Sequence, residues 1–576
     1  MQKIMQKKQL TISIAVALAG FIAPQVHSEE LSQEQGISQV HGINHVLLIS
    51  IDGMHALDYE NCVSGGYCPN LAALGKTGVN YTRTSTSRPS DSFPGLMALV
   101  SGGTPRTVGA YYDVAYDRVL APPKNTTGNG VAGGTCNVGV TNGTTTEFEE
   151  GIDVDQTQLN GGGPYAMTDG GINSIDPTRL PRDPYNNCAP VYPWNFVRTN
   201  TIYGVIHGAH GYTAWSDKHP AYASVSGPGN NASNIDDYYS PEINSTVIAL
   251  PGISTATGVS CSAIRDTSQT GSWTDSFDNI QCYDTLKVNA IINEIDGKTH
   301  NGQKKAPVPN LFGMNFQSVS VGQKLIEKLT NGTKVIGGYT DAAGTPTAPM
   351  QNEIAFVDSA IGQMVTELKQ RKLMGSTLII VTAKHGQSPM DPNRFFPIPG
   401  SSGTNGTSPA NLLAANLPYS ESPLNPSGIG PTEDDISLLW LANPGDTLSS
   451  VETLETNADA AGVGQIFYGA SLQTMFNAPG LPPYGDPRTP DIIVQPETGV
   501  VYTGSSKKQA EHGGFSHDDT NVMMLVSNPN FGARTINSFV ETTQVAPTIL
   551  EALGYDPNSL DAVQKEGTPV LPGLGF

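Results

Sequence analysis

Two short apolar runs that end abruptly in polar residues restrict the fold of this chain more than any other feature. Residues 45–51 are followed by Asp52, and residues 376–382 are followed closely by Lys384 and His385. Apolar runs of this length are typical of buried strands in a parallel sheet. Helical patterns alternate with them, so we predict an α/β fold, a three-layer α/β/α sandwich around a mainly parallel sheet. This architecture places its chemistry at the carboxyl ends of such strands.

The rest of the chain alternates core-like segments with loop-like ones. Apolar spacing predicts helices near 70–74, within 195–214, and at 351–371 and 538–553, and strands near 211–215, 311–316 and 490–495. Glycine, asparagine and proline are frequent in long insertions at about 113–194, 223–276 and 387–431. We therefore predict one catalytic domain, residues 29–576, that carries three loop-rich insertions.

Residues 1–28 have the pattern of a signal peptide. Three lysines precede an apolar run from Leu10 to Ala23, and a small-residue cleavage pattern follows at 26–28. No other window is apolar and long enough to span a bilayer. We therefore expect an exported protein without a membrane span, located in the periplasm or secreted.

All six cysteines lie in the predicted exported part, where oxidising conditions favour disulfides. None of them forms a Cys-x-x-Cys pair, so the pattern does not indicate a zinc site built from cysteines. Six cysteines allow 15 pairings, and pairing of sequence neighbours is the simplest of them. That pairing would join Cys62 to Cys68, Cys136 to Cys188, and Cys261 to Cys282.

The chain carries a formal net charge of −21 and has no basic tract. A surface of this charge repels nucleic-acid polymers and anionic membranes, because few cations are available to replace counterions. The net charge does not exclude a small anionic substrate, whose binding depends on local charges. We expect a small anionic ester as the substrate and no nucleic-acid polymer as a partner.

A second polar feature is Ser92, which precedes Phe93-Pro-Gly and an apolar run at 96–100. The proline and glycine predict a turn, and the apolar run predicts a helix that begins near the serine. A hydroxyl near a helix amino terminus lies where developing negative charge is stabilised. Together with Asp52 it suggests phosphoryl or sulfuryl transfer. Ser92 as a simple helix cap and Ser90 as a rival nucleophile remain alternatives.

Several motifs of the chain occur in a recognisable order. They are Val46-Leu-Leu-Ile-Ser-Ile-Asp52-Gly53, Ser92-Phe-Pro-Gly, Val357-Asp-Ser-Ala-Ile-Gly, Leu378-Ile-Ile-Val-Thr-Ala-Lys-His385-Gly386, His512-Gly and Thr543-Gln-Val-Ala-Pro-Thr-Ile-Leu-Glu-Ala-Leu-Gly554. This order resembles the alkaline phosphatase superfamily, and within it the type I phosphodiesterase/nucleotide pyrophosphatase family. The resemblance covers most of the chain outside the insertions. It implies the same fold and the hydrolysis of phosphate ester bonds.

In that family a strand-end aspartate, a hydroxyl nucleophile before Phe-Pro, an Asp-His pair and a later histidine hold two zinc ions. The resemblance carries these metal-binding roles onto Asp52, Ser92, His385 and His512, with His517 as an alternative to His512. It implies that Ser92 attacks phosphorus and that a metal-activated water then releases the phosphoryl group. Carboxylate and imidazole groups are ligands that suit zinc. We therefore expect one or two divalent metal ions, with zinc as the first candidate.

The chain departs from the family pattern at several ligand positions. Lys384 stands where the family has an aspartate, and a protonated lysine cannot bind a metal. Where the family has Glu-Pro-Asp and a following histidine, this chain has Asn315-Phe-Gln317 and then Gln323-Lys324. Either one metal remains, or lysines replace a metal as the charge that stabilises the transition state.

Other residues could complete such a site. Asp217 and His219 follow the predicted strand at 211–215, and they are candidates either for replacement metal ligation or for substrate binding. Gln317 and Lys324 are candidates for the same two roles. The sequence Lys218-His219 resembles a Lys/His motif that follows a comparable strand in the related sulfatases.

These observations predict an exported, metal-dependent hydrolase of phosphodiester or pyrophosphate bonds, with Ser92 as nucleophile and Lys384 as a charge-stabilising residue. A sulfatase or a phosphomonoesterase of the same superfamily is the first alternative. Against a sulfatase, Ser92 lacks the following Pro and Ser-Arg pattern, and Asp52-Gly53 lacks the double aspartate of the sulfatase metal site. A non-catalytic binding protein on this fold is the second alternative, because several metal ligands are absent.

Overall fold

An eight-stranded sheet forms the centre of the computed structural model. The structure describes residues 42–128, 130–148, 171–244, 252–261, 273–329, 331–400, 406–418 and 432–575. The strands of the central sheet are β1 (His45–Ile51), β2 (Gly78–Tyr81), β3 (Ala214–Ser216), β4 (Asp237–Tyr239), β5 (Leu311–Phe316), β6 (Thr377–Thr382), β7 (Leu525–Ser527) and β8 (Arg534–Ile536). Their order across the sheet is β8-β2-β7-β6-β1-β5-β3-β4.

The sheet is mainly parallel. Strand β7 runs antiparallel to β2 and β6, whereas the other neighbouring pairs are parallel. In the register of the three middle strands, Ser50 of β1 lies opposite Asn315 of β5 and Thr382 of β6. The carboxyl ends of these strands therefore meet at one edge of the sheet. Asp52 and Lys384 come directly after two of these ends.

Helices cover both faces of the sheet, which confirms the predicted three-layer α/β/α sandwich. Successive residues of a strand point to opposite faces, so Val46 and Leu48 join one apolar cluster, and Leu47 and Ile49 join the other. The longer helices are α1 (Ala56–Ser64), α2 (Pro69–Gly75), α3 (Ser92–Ser101), α4 (Ile202–Gly208), α5 (Phe277–Ile295), α6 (Ser318–Lys324), α7 (Ala348–Gln370), α8 (Thr447–Thr456) and α9 (Val545–Ala552). Helices α3, α4 and α9 pack on the first cluster, and α2, α5 and α7 pack on the second.

A second sheet lies beside the central one and was not predicted. It has four strands, in the order Thr432–Glu433, Ser437–Leu439, Ile492–Pro496 and Val463–Tyr468. The strand predicted at 490–495 belongs to this antiparallel sheet. One face of the sheet packs against Tyr111 and Tyr112, which lie just before the first predicted insertion, and against Ala115 within it. The start of that insertion is therefore packed against the second sheet.

The region 195–214 differs from its prediction as a helix followed by a strand. Two helices occur, Pro193–Phe196 and Ile202–Gly208, because Val197 leaves the helical conformation with φ −70° and ψ 144°. The apolar spacing therefore continues across a break that it does not reveal. The closing helix also begins later than predicted, at Val545, after the short strand Val540–Glu541.

The remaining elements are short. The short helices are Pro105–Val108, Pro193–Phe196, Pro409–Leu412, Ala458–Ala461, Ala470–Met475, His517–Thr520 and Asp561–Glu566. The remaining strands are Thr84–Ser85, Val114–Asp117, Thr144–Glu147, Arg182–Asp183, Ala189–Pro190, Ile253–Ser254, Ser260–Cys261, Ile326–Lys328, Lys334–Ile336, Phe396–Ile398, Val500–Tyr502, Asn521–Val522 and Val540–Glu541.

Three disulfides join the sequence neighbours, as predicted. They are Cys62–Cys68, Cys136–Cys188 and Cys261–Cys282. In the part of the chain that the structure describes, no helix is both long and apolar enough to cross a membrane. The predicted signal peptide, residues 1–28, lies outside the described residues, as do parts of the three predicted insertions.

Candidate active site

Ser92 occupies the first turn of α3, at the carboxyl edge of the central sheet. The carboxylate of Asp91 caps this helix by accepting a hydrogen bond from the backbone N–H of Phe93, so Ser92 is not itself the cap. All ten residues of α3 are buried. Gly95 allows the helix to lie close to the end of β6, because a Cβ at this position would be 2.3 Å from the carbonyl oxygen of Lys384. This contact brings Ser92 next to the residues that follow β6.

The side chains of Ser92, Asp52 and His385 meet at this edge. Ser92 Oγ lies 3.1 Å from His385 Nε2 and 3.4 Å from Asp52 Oδ2. His385 Nε2 lies 3.6 Å from the same carboxylate oxygen. All three side chains are almost completely buried. A hydroxyl within hydrogen-bond reach of an imidazole is the geometry of a nucleophile with a general base.

The backbone orients the imidazole of His385. Its Nδ1 lies 2.8 Å from the carbonyl oxygen of Gly386, which can only accept a hydrogen bond. Nδ1 therefore carries the proton, and Nε2 of the neutral ring is left with a lone pair that faces Ser92 Oγ. The ring of His512 lies against that of His385, with centroids 4.0 Å apart, and its Nδ1 is 3.6 Å from Asp91 Oδ1.

The carboxylate of Asp52 is held by side-chain amides. Gln317 Nε2 donates a hydrogen bond of 2.6 Å to Asp52 Oδ2, and Asn315 Nδ2 donates one of 3.1 Å. Burial alone would raise the pKa of Asp52, but nearby positive charges, that of Lys384 first and that of Lys218 as well, hold that pKa well below its ordinary value. Asp52 is therefore ionised in the folded protein.

Two lysines lie in the same buried region. Lys218, just after β3, donates from Nζ to Ser92 Oγ at 3.2 Å, and its Nζ is 3.9 Å from Asp52 Oδ2. Lys384 is fully buried, and its Nζ lies 3.1 Å from both carboxylate oxygens of Asp217. The indole N–H of Trp215 also donates to Asp217, at 3.0 Å. Lys218 therefore contacts the nucleophile, whereas Lys384 is held by a carboxylate.

A buried ion pair supports the segment that presents the two amides. Lys287 of α5 donates from Nζ to the backbone carbonyl of Asn315 at 2.5 Å and lies 3.0 Å from Asp284 Oδ1. The other oxygen of Asp284 accepts hydrogen bonds of 2.8 Å from the backbone N–H groups of Gln317 and Ser318. The position of the amides near Asp52 is therefore set by a helix on the other side of the sheet.

The structure separates the remaining candidates from the nucleophile. Ser90 Oγ donates to the backbone carbonyl of Asp519, so its hydroxyl has a structural partner. His517 is exposed, whereas His512 is buried against His385. His219 lies 2.9 Å from both carboxylate oxygens of Glu242, and Lys324 Nζ is 3.9 Å from Glu511. Gln323 donates to the backbone carbonyl of Gly53 at 2.6 Å.

Sequence reasoning noted Lys218 only as part of the Lys218-His219 motif and did not assign it a contact with the nucleophile. It singled out the flanking residues Asp217 and His219, and it expected the charge-stabilising lysine to be Lys384. The Lys218-His219 motif after a predicted strand was the available signal. Its Nζ reaches Ser92 only because β3 lies two strands away from β1 in the folded sheet.

The side chains present can be tested against the two-zinc centre that the resemblance implies. Ser92 Oγ, His385 Nε2 and Asp52 Oδ2 are 3.1 to 3.6 Å apart, near the spacing of about 3.3 Å between ligands of one tetrahedral zinc ion. Asp52 Oδ1 is buried and has no hydrogen-bond partner among the described residues. The spacing of these three atoms and the unpartnered oxygen of Asp52 would suit the binding of one zinc ion.

The charges around these atoms do not suit a metal ion. Lys218 and Lys384 already balance the carboxylates of Asp52 and Asp217, so a divalent ion would leave an excess of buried positive charge. Lys384 and Gln317 present N–H groups where the family has carboxylates. Among the described residues, no group of three or more His, Cys, Asp or Glu side chains is arranged to hold a metal ion. The residues present therefore do not fit the two-zinc centre.

A family model described as type I phosphodiesterase / nucleotide pyrophosphatase matches residues 46–138 and 336–519 of the chain. The matched segments contain Asp52, Ser92, Lys384, His385 and His512. The residues that surround Asp52 with N–H groups, Lys218, Asn315 and Gln317, lie between the two segments. No curated protein matches the chain.

Solved structures with this fold are similar over most of their length. The alkaline phosphatase PafA, in a mutant form, has a TM-score of 0.50 and 12% identity, with 89% of this chain and 96% of that chain covered. Murine ectonucleotide pyrophosphatase / phosphodiesterase 5 has a TM-score of 0.49 and 14% identity, with 89% and 96% covered. The human protein of the same name has a TM-score of 0.48 and 13% identity, with 89% and 95% covered.

Members of this superfamily are typically dependent on divalent metals, which makes the charges around Asp52 unusual. At these identities the solved structures bear on the fold alone, and the family model bears on the chemistry. The family match indicates a hydrolase of phosphate ester bonds. The chain is therefore similar to the type I phosphodiesterase / nucleotide pyrophosphatase family over residues 46–138 and 336–519, and it shares its fold with the alkaline phosphatase PafA.

Proposed function

We propose that the protein hydrolyses small anionic phosphate esters, phosphodiesters or pyrophosphates, through a covalent intermediate on Ser92. The observation that carries this proposal is the 3.1 Å contact between Ser92 Oγ and His385 Nε2, the ring nitrogen that does not face the backbone carbonyl of Gly386. This contact gives a buried serine a general base at the edge of the sheet where α/β proteins bind their ligands. The family match supports the choice of phosphate esters.

In the first step, Ser92 Oγ attacks the phosphorus atom of the ester and His385 Nε2 takes the hydroxyl proton. The bond between Oγ and phosphorus forms, and the bond between phosphorus and the leaving oxygen breaks. The leaving group departs with the proton that His385 returns. Lys218, whose ammonium already donates to Ser92 Oγ, stabilises the negative charge that develops on Oγ and on the phosphoryl oxygens.

In the second step, a water molecule attacks the same phosphorus atom. His385 Nε2 takes a proton from the water, the bond between phosphorus and Oγ breaks, and the proton passes to Ser92. The phosphate or phosphate monoester product leaves, and the enzyme returns to its starting state. Each step uses one base and one cation that are both in place before substrate binds.

The carboxylate of Asp52 holds this arrangement in position. It lies between Ser92, His385 and Lys218, and it accepts the amide hydrogen bonds of Asn315 and Gln317. As an anion it attracts the ammonium of Lys218 and helps to keep it near Oγ. Lys384 supports the same arrangement through Asp217, the residue before Lys218.

The proposal includes export to the periplasm or the medium after removal of residues 1–28. It also includes a single catalytic domain, residues 29–576, with insertions at about 113–194, 223–276 and 387–431. Three disulfides and the relation to ectoenzymes are consistent with an extracellular location. The proposal routes no step through zinc, because the charges around Asp52 do not suit it.

A sulfate ester is a second candidate substrate. The specific observation in its favour is that Lys218, the first residue of the Lys218-His219 motif, contacts the nucleophile. A sulfate monoester and a phosphodiester each carry a single negative charge, which suits one ammonium group. Activity on a sulfate ester that exceeds activity on phosphate esters would replace the phosphatase proposal with this one.

The experiment measures hydrolysis of aryl phosphodiester, phosphomonoester and sulfate ester substrates by the mature protein and by Ser92→Ala. We expect hydrolysis of the diester by the wild type and a loss of at least roughly 1,000-fold in the variant. Acid quenching and mass spectrometry should find the substrate-derived group on Ser92. Ser64→Ala, which alters an exposed serine, is the matched control and should keep full activity. Full activity of Ser92→Ala would disprove the mechanism, and inactivity on all three esters would favour a binding protein.

A further inference from the structure

The ammonium of Lys218 lies at the position that a cation would need in order to contact both the hydroxyl of Ser92 and the carboxylate of Asp52. Its Nζ is 3.2 Å from Ser92 Oγ and 3.9 Å from Asp52 Oδ2, and its side chain is only 9% exposed. An ion that bridged the hydroxyl and the carboxylate would also have to lie between these two oxygens. The lysine ammonium therefore occupies the position that a bridging metal ion would need, and it already balances the negative charge of Asp52 that such an ion would balance.

The neighbouring side chains are adapted to an ammonium in this place. Lys218 N–H donates to Asp217 Oδ1 at 2.8 Å, which fixes the backbone from which the lysine extends. Lys384 holds the same carboxylate at 3.1 Å. The amides of Asn315 and Gln317 donate to Asp52 Oδ2, the same oxygen that faces Lys218, and an amide N–H offers no lone pair to a metal. Two buried carboxylates are thus neutralised by two buried ammonium groups.

We propose that Lys218 replaces the divalent metal of the superfamily and that this enzyme forms and releases its Ser92 intermediate without a bound metal ion. The inference rests on the proposed function for its catalytic part. Its structural part, that no metal ion binds among Asp52, Ser92 and His385, does not need activity. The two parts can therefore fail separately.

The first test measures metal content and needs no substrate. The mature protein is purified without chelators, equilibrated with excess zinc and dialysed. Its metal content is then measured by inductively coupled plasma mass spectrometry. We expect less than roughly one tenth of an equivalent of any transition metal per chain. The inference would be overturned if the wild type bound one or more equivalents of zinc and a Ser92→Ala/His385→Ala variant did not. This outcome does not depend on whether any ester is hydrolysed.

The second test follows hydrolysis of an aryl phosphodiester. Treatment with a strong chelator should change the wild-type rate by less than about twofold. Lys218→Ala should lower kcat by roughly 100-fold or more, the loss expected when a charge-stabilising donor is removed. Lys298→Met, which alters an exposed lysine paired with Asp296, is the matched control and should keep the wild-type rate. Loss of activity on chelation, with recovery on added zinc, would overturn the inference and leave the serine mechanism in place.

A third measurement separates an ammonium that acts on the reaction from one that only supports the fold. Lys218→Ala leaves space where the lysine side chain was, so added methylammonium or ethylammonium should restore part of kcat in a saturable way. The same salts should not change the wild type or Lys298→Met. Circular dichroism reports whether Lys218→Ala folds. If Lys218→Ala does not fold, Lys218→Arg is used instead, because it keeps the positive charge. We expect the purified Lys218→Arg variant to contain no zinc and to keep measurable activity. A requirement of that variant for zinc would contradict the proposal.

Discussion

Two buried groups of carboxylates in this protein have opposite electrostatic surroundings. At the candidate site, Asp52 and Asp217 are each within 4 Å of a lysine ammonium, and the pKa of Asp52 is held well below its ordinary value. At the second group, Asp435 and Asp519 are buried near each other and share a hydrogen bond from Ser388 Oγ.

Burial, with the charge of Asp519, raises the pKa of Asp435 well above its ordinary value. Burial also raises the pKa of Asp519, to about 6. Burial is equal in the two groups, so the nearby lysines make the difference.

This comparison shows that the neighbouring charges, and not burial alone, set the direction in which the pKa of a buried carboxyl shifts in this protein. The carboxyl ends of the same strands can present anions that require metal ions, or anions that already have ammonium partners. The backbone decides where the side chains meet, and the residue types decide which charge remains to be supplied. The changes below test whether the lysines are responsible.

The largest expected effect is that of Lys384→Met. It would leave Asp217 buried without its ammonium partner, which should lower the free energy of unfolding by about 3–5 kcal/mol. Urea unfolding measures this change. The double variant Lys384→Met/Asp217→Asn removes the uncompensated charge and should recover most of the loss. If the double variant is no more stable than the single one, the pair is not held by its charges.

The charge of Asp52 is tested by Asp52→Asn. The asparagine keeps the shape but removes the anion near Lys218 and places an amide among the donors of Asn315 and Gln317. We expect kcat/KM on an aryl phosphodiester to fall by roughly 100-fold. A cooperative thermal unfolding transition measured on the same variant shows that it is folded. Glu60→Gln, at an exposed position on α1, is the control. Unchanged kcat/KM in Asp52→Asn would show that the anion is not needed to position Lys218.

The smallest effect is expected at the second carboxylate group and depends on pH. Because the pKa values of Asp435 and Asp519 are raised by folding, their stability contribution is complete below about pH 4 and is lost as the pH rises through about 6. Asp435→Asn removes one of the two charges. Its free energy of unfolding should be close to that of the wild type at pH 4 and higher by on the order of 1–3 kcal/mol at pH 8. A difference that is equal at both pH values would contradict the assignment.

Local patterns were enough for the elements that position the nucleophile. The strand at 311–316 was predicted with its exact bounds, and the strand at 376–382 and the helix at 351–371 were predicted within three residues. The apolar runs there are continuous and end at polar residues or glycine. The break at Val197 was missed because apolar spacing records which residues face the core and does not record a local change of backbone conformation.

The candidate site divides in the same way. Asp52, Ser92 and His385 could be named from their places at the ends of apolar runs and from the order of the motifs, and the structure brings them together. The arrangement of Lys218, Lys384, Asn315 and Gln317 could be described only as departures from a family pattern. Their contacts depend on the order of β6, β1, β5 and β3 across the sheet, which no local pattern specifies.

The sequence by itself determined the class of fold and the strands that precede Asp52 and His385, because each depends on residues close together in the chain. It left the cysteine pairing open among 15 possibilities, of which the structure has the pairing of sequence neighbours. Only the tertiary structure decided which cation contacts the nucleophile. Lys218 is 126 positions away from Ser92, and a long side chain can reach a serine only after the sheet has set the distance between their strands. For the same reason, Lys384 could be assigned to Asp217 rather than to Ser92 only in the folded protein.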